Sequence, residues 1–227
     1  MKIQTYNGMT VEMIRSTQYP AELVGLAMTI TQKSDAAAEI LPLTKTRAQF
    51  LWDAEHTSLL EHVGYTFLIQ GVSRSFLAQI TRQRTASPTS GSQHYQDYQD
   101  YPCSVMPIGN SSLAITETID RALRNSISAY TDLLEYGVPR EEARQVLPNA
   151  STVNYLWTLD ALNLFKFLRQ RLCNRNVLEM RIFANRVLSL VREHFPEWFG
   201  ICGPQCYMGE CMQGHMTCED EIWIPVA

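Results

Sequence analysis

Two arginines, the hydroxyls of Thr81, Thr85, Ser87, Thr89 and Ser90, a Gly91-Ser92 turn and an aromatic are packed into Thr81-Arg82-Gln83-Arg84-Thr85-Ala86-Ser87-Pro88-Thr89-Ser90-Gly91-Ser92-Gln93-His94-Tyr95. Such a stretch has the chemistry of an anion site. A guanidinium fork donates paired hydrogen bonds to phosphate or carboxylate, and small residues let backbone N–H groups approach the same ligand. The competing reading is a solvated helix end, which short motifs of this kind often are.

Three other groups could do chemistry. In His56-Thr57-Ser58-Leu59-Leu60-Glu61-His62, two histidines and a carboxylate precede a β-rich run. Neither a helical i, i+4 face nor a third histidine supports a metal there, so hydrogen-bonded histidines at a strand start are expected. Lys166, Arg169 and Arg171 are cations that read by default as a solvated helix face, and Arg144 is a further cation on a separate short segment. Finally, the tail from Cys202 to Cys218 holds Cys202, Cys206, Cys211 and Cys218 with His215 between them. Its C-x3-C-x4-C-x6-C spacing is no standard zinc ribbon, so packed or redox-labile thiols are expected, with zinc or an iron-sulfur cluster as the alternative.

The elements that must position these groups follow from periodicity. Met9 to Arg15 alternates as a half-buried strand, and Pro20 to Met28 follows as a helix with proline in its first turn. Short helices are expected over 36–41 and 44–52, with Leu51 and Trp52 turned to the core, then a strand over 63–69. A helix over 72–82 would deliver Gln79, Arg82 and Gln83 at its C-terminal end, after which Pro88 and Gly91 predict a loop. Tyr95, Tyr98 and Tyr101 form a stripe, packed or on the surface. The run 111–136 is the clearest amphipathic helix, with Leu113, Ile115, Ile119, Leu123, Ile127, Tyr130 and Leu134 on its apolar face. A short helix over 140–147 carries Arg144, a strand covers 152–158, and Asp160 caps a helix to Arg171. A last helix spans 176–194.

The length of 227 residues suits one domain, here 1–200, followed by a Cys-rich tail, 201–227. A net charge of −4 leaves no electrostatic footprint for duplex nucleic acid, so any anion chemistry is local. No signal-like start and no run of 18 apolar residues is present, and the expectation is a soluble cytoplasmic protein with reduced cysteines.

Arg82-Gln83-Arg84, seven residues, then Ser92 and His94-Tyr95 resembles the Arg-His-Arg-x7-Ser signature of the flavin-dependent thymidylate synthases. Upstream, His56 to Phe67 matches that family in order and spacing. Downstream, Ala143-Arg144-Gln145-Val146-Leu147-Pro148, then Asn163 to Arg171 and Glu179, match again, so the resemblance covers roughly residues 10–200. It implies an α+β subunit, a mixed sheet flanked by helices, in a homotetramer with shared sites. It also implies reductive C5-methylation of dUMP to dTMP with FAD, NADPH and methylenetetrahydrofolate, and no membrane or nucleic-acid partner. On that resemblance Arg82 and Arg171 are catalytic. Gln79, Arg82, Ser92, His94, Arg144 and Arg171 bind substrate, and His56, Ser58, Glu61, Gln83, Arg84 and Arg175 hold the flavin. The types make chemical sense: a flavin dinucleotide offers ribose hydroxyls, a pyrophosphate and ring heteroatoms, while a nucleotide phosphate calls for cations.

Six positions depart from the family pattern. Gln83 stands for His, Ser90 for an acidic or amide residue, His94 for Arg, Leu162 for Arg, Lys166 for Asn and Arg175 for His. Each changes a donor or a charge. Two other functions follow as alternatives: methylation or hydroxymethylation of another pyrimidine nucleotide such as dCMP, or a non-catalytic nucleotide- or flavin-binding homologue.

Overall fold

Two apolar alternations shape the sheet. In the computed structural model, which describes residues 3–5, 8–33, 40–100, 103–105, 112–207, 209 and 211–218, the strand β3 (Gly64–Ser73) buries Tyr65, Phe67 and Ile69, and β6 (Thr152–Asp160) buries Val153, Tyr155, Trp157 and Leu159. Successive side chains on a strand point to opposite faces, so every second residue can be apolar and interior. With β2 (Thr10–Ser16) and β4 (Ser87–Ser90) they form a four-stranded sheet in the order β2-β3-β6-β4. The β3–β6 pairing is antiparallel: Thr66 meets Thr158 hydroxyl to hydroxyl at 3.0 Å, and Arg74 N–H donates to Ser151 O at 3.1 Å. Separately, β1 (Ile3–Thr5) pairs in parallel with β5 (Cys103–Val105).

Contacts divide the chain into two units. The first is Met1–Thr10, Leu68–Gln83 and Pro88–Leu156, and the second is Val11–Phe67, Arg84–Ser87 and Trp157–Ala227.

In the first unit the expected helix over 72–82 is shorter, α3 (Arg74–Ile80), because β3 runs on to Ser73, whose hydroxyl caps the helix by accepting from Phe76 N–H at 3.0 Å. Gly71 makes that exit possible. Its φ of 71° is left-handed, and a Cβ there would meet Gly8 O at 2.5 Å, so only glycine fits. The loop expected after Pro88 begins instead as β4. Its side chains are all exposed, and a proline is tolerated because β4 is an edge strand. Helix α4 (Leu113–Glu135) buries Leu123, Ile127 and Tyr130, but Leu113 and Ile115 at its start are exposed, so the apolar stripe is covered only over its second half. Tyr130 packs with Tyr98 and with Ala143 of α5 (Arg140–Ala143), backed by Leu133, Leu134, Val138 and Leu147. The tyrosine stripe is split: Tyr98 is core and Tyr95 is 77% exposed, while Tyr101 lies outside the described residues.

The second unit carries α1 (Pro20–Gln32), α2 (Lys45–Asp53), a 3-10 helix over Thr57–His62, α6 (Ala161–Arg171), α7 (Leu178–His194) and α8 (Pro196–Phe199). The expected helix over 36–41 falls mainly outside the described residues. Aromatic rings fill the unit's core: Trp157 lies 4.9 Å from Phe167, 5.8 Å from Phe183 and 6.2 Å from Phe67, and Phe165 lies 4.8 Å from Trp198. Leu51 is buried as expected, and the Trp52 ring packs tilted against Phe165 at 4.7 Å. No helix among the described residues is long and apolar enough to cross a membrane.

Asp160 caps α6 as its position predicts, its carboxylate accepting from Asn163 N–H at 2.8 Å. Asp160→Ala is expected to cost about 1 kcal/mol of stability, as N-cap losses do, read as a lower midpoint in urea with an unchanged slope. A second test concerns pH. Burial lowers the pKa of His194 below its ordinary 6.5, and its Nδ1 lies 3.3 Å from the Tyr65 hydroxyl. The fold therefore favours the neutral imidazole. Its contribution is complete above the unfolded value near 6.5 and is lost as pH falls through the lower folded value. Melting temperature is expected to fall across that window, and to fall less in His194→Phe; equal slopes would show that another group governs it.

Candidate functional site

The first unit gathers one cluster. Downstream of β4, Gly91 N–H donates to Asn154 O of β6 at 2.9 Å, which anchors the turn at the sheet edge. Ser92 then organises it. Its hydroxyl accepts from His94 N–H at 3.2 Å, and its carbonyl accepts from Tyr95 and Gln96 N–H. His94 turns its Nδ1 to the Glu141 carboxylate at 3.0 Å, and its ring lies edge-on to Tyr95 at 4.5 Å. Arg144, on the 3-10 turn after α5, donates from Nε to Glu141 O at 3.0 Å. His94 thus links the Ser92 turn to Glu141, a residue with no place in the sequence motif, and Arg144 bonds the Glu141 backbone from one turn further on. The His94–Glu141 pair is half exposed and so contributes little to stability, but it ties the imidazole to an anion. With Nε engaged, Arg144 keeps its two terminal nitrogens available in direction for a ligand. Gln79 stands half-buried in the last turn of α3, with Arg82 exposed and Gln83 half-buried just beyond.

The second unit holds the remaining residues in two places. His56, Ser58 and Glu61 are exposed on and before the 3-10 helix Thr57–His62, with the His56 ring 6.4 Å from Phe50. The strand start expected there is this helical turn, and Val63 follows it into β3. Glu55 enters the turn at a φ of 57°, a conformation uncommon outside glycine. A cleft of about 600 Å³ opens beside the turn, lined by Trp52, Asp53, Glu55, Thr57 and Lys166. Of these, the sequence motif marked only Lys166, as a departure. Arg84 is exposed in the segment Arg84–Ser87.

Arg171 ends α6. Its Nη1 donates to Asn176 Oδ1 at 3.2 Å, and its guanidinium lies 5.7 Å from the Phe167 ring centre. Asn176 is itself fixed, donating from Nδ2 to Gln170 O at 2.6 Å and to Cys173 O at 3.2 Å. Arg175 is exposed and reaches Met216 Sδ at 3.1 Å. Leu162, where the family pattern has arginine, is a core residue at 4% exposure, so this chain offers packing in place of a cation there. Among the described residues no group of three His, Cys, Asp or Glu stands ready to hold a metal ion.

Comparisons with known proteins agree on one family. Residues 12–197 match the family described as thymidylate synthase complementing protein. A flavin-dependent thymidylate synthase of Geobacter sulfurreducens is 33% identical over 217 residues, covering 92% of this chain and 94% of the relative. Its counterpart from Clostridium tetani is 30% identical over 232 residues, covering 93% of each. The structure of a UMP/dUMP methylase from Streptomyces cacaoi bound with 5-Br dUMP superposes with a TM-score of 0.74 at 22% identity, covering 87% of this chain and 96% of that one, a likeness of fold.

Proposed function

Because the chain belongs to the thymidylate synthase complementing protein family, the flavin-dependent thymidylate synthases, we propose that it is a methyltransferase acting at C5 of dUMP, with FAD as its cofactor and methylenetetrahydrofolate and NADPH as co-substrates. The observation that supports this best is the His94–Glu141 ion pair, which ties the turn organised by Ser92 to the segment that carries Arg144 and so draws separate pieces of the signature together.

The residues present suit the flavin dinucleotide. His56, Ser58 and Glu61 are short, exposed and polar on one turn, and Arg84 adds a cation for a pyrophosphate. When bound, FAD supplies the hydride, so the reaction needs no cysteine nucleophile and the protein's work is orientation and charge stabilisation. In this reading Arg82 and Arg171 stabilise charge developing on the pyrimidine ring, and Gln79, Ser92, His94 and Arg144 position the nucleotide. Gln83 and Arg175 complete the flavin contacts, and the subunits assemble as a homotetramer with shared sites. Glu141 orients His94, a positioning duty that the motif does not mark.

A second reading, a cytosine nucleotide as acceptor, draws on the same Glu141: a carboxylate accepts from an exocyclic amine such as cytosine N4. The experiment uses purified full-length protein. A yellow protein with non-covalent FAD, turning over dUMP with methylenetetrahydrofolate and NADPH to a product heavier by one CH2 as methyl replaces the C5 hydrogen, is expected. Turnover of dCMP in its place would move the conclusion to the second reading. A colourless protein that fails to take up added FAD would overturn both.

A further inference from the structure

The tail walls a second cavity. Cys202 is fully buried and Arg192 Nη2 donates to its carbonyl at 2.7 Å, which fixes the point where the tail leaves the core. Beyond that point Gln205 and Gln213 line a cavity of about 350 Å³ together with Arg169 and Gln170 of α6 and Arg175 of the segment before α7. Arg175 Nη2 joins the two segments through Met216 Sδ at 3.1 Å. Asn176 is on the same wall, but its side chain is spent on Arg171 and on the carbonyls of Gln170 and Cys173.

This wall is made of donors. Two guanidiniums and the amides of Gln170, Gln205 and Gln213 line it, and among the described residues neither Asp nor Glu does. Arg169 is held in place, its guanidinium 4.9 Å from the Trp52 ring centre, and burial lowers its pKa from the ordinary value. A guanidinium keeps its charge at any ordinary pH, so one partly withdrawn from water gains most from an anion offering several oxygens. Two such forks suit a dianionic phosphomonoester. The volume is at the small end of the roughly 300–1,000 Å³ typical of ligand sites, which is room for one end of a larger ligand. Position narrows the choice. Lys166, Arg169 and Gln170 share one face of α6, and Lys166 and Trp52 line the cleft beside the turn that suits the flavin.

We propose that this cavity holds the 2′-phosphate of NADPH, with Arg169 and Arg175 as its paired cations and the tail residues Gln205 and Gln213 bonding the adjoining ribose. The inference rests on the flavin-dependent reading, in which NADPH is a co-substrate to which the signature assigns no residue, whereas the phosphate of the pyrimidine nucleotide has Arg144. Arg175 carries five N–H donors, enough for its flavin contact and for a phosphate oxygen. Because the 2′-phosphate is what separates NADPH from NADH, the cavity sets the choice between them. With the adenosine end anchored here, the nicotinamide end is left to follow the α6 face toward the cleft.

The test is binding, which is independent of methylation. Adenosine 2′,5′-bisphosphate, which carries the 2′-phosphate without a nicotinamide, is titrated calorimetrically into FAD-loaded full-length protein, or into the chain as purified if it takes up no flavin. It is expected to bind about tenfold or more tighter than 5′-AMP or inorganic phosphate, and to be displaced by NADPH but not by NADH. Arg169→Gln and Arg175→Gln are each expected to weaken it about ten- to a hundredfold, as the loss of charge-assisted hydrogen bonds does, and to bring the KM for NADPH toward that for NADH. Arg175 is exposed, so its variant keeps the proposal testable if Arg169→Gln, which also loses the Trp52 contact, fails to fold. Equal affinity for the bisphosphate and 5′-AMP, displacement by dUMP or by inorganic phosphate at similar concentration, or unchanged affinity in Arg175→Gln would each overturn it. Tight binding of the bisphosphate by a protein that takes up no FAD would support the cavity's role while the methylation reading failed; methylation without such binding would do the reverse.

Discussion

Arg171→Ala is expected to weaken nucleotide binding about ten- to a hundredfold while leaving FAD affinity within a few-fold, because a lost charge-assisted hydrogen bond in a partly buried site costs roughly 1.5–3 kcal/mol. The geometry makes the loss local. Arg171 leans on Phe167 and donates to Asn176, but Asn176 remains tied to Gln170 O and Cys173 O when the guanidinium is gone. The α6–α7 segment should therefore keep its course. Glu61→Ala is expected to do the reverse, since a carboxylate beside a nucleotide phosphate would repel it, whereas flavin hydroxyls and ring N–H groups would donate to it. Titrating both ligands against both variants decides the matter. Equal losses in all four titrations would show that the two sites are not separable, and an unchanged nucleotide affinity in Arg171→Ala would remove this residue from the substrate site.

The largest effect on stability is expected from Trp157→Ala. This side chain is fully buried and lies within reach of Phe67, Phe167 and Phe183, whose rings cannot all close the space it would leave. Removing a buried tryptophan costs about 3–5 kcal/mol through lost burial and a residual cavity, a large part of the roughly 5–15 kcal/mol that separates folded from unfolded chains. Urea denaturation followed by circular dichroism should show a midpoint lowered accordingly, and Trp157→Phe should recover much of it. A loss under about 1 kcal/mol for the alanine variant would mean that the second unit's core is not centred on this residue.

What could be read from the chain alone was local. Alternation placed β2, β-rich runs placed β3 and β6, the 3.6-residue period placed α4, and Asp160 marked the start of α6 as its cap, because each of these signals lies within a few residues of the structure that it specifies. The signature residues could likewise be picked out by spacing. Strand β4 could not: four exposed residues with a proline carry no strand pattern, and they are extended because β6 lies alongside. The same holds for Tyr98, buried by α4 while Tyr95 three residues earlier is exposed. Glu141 lies 47 residues from His94, so no periodicity relates the pair. Such partners are joined only when the folded chain returns on itself, and which groups it then brings together depends on the packing of whole elements, not on the residues between them.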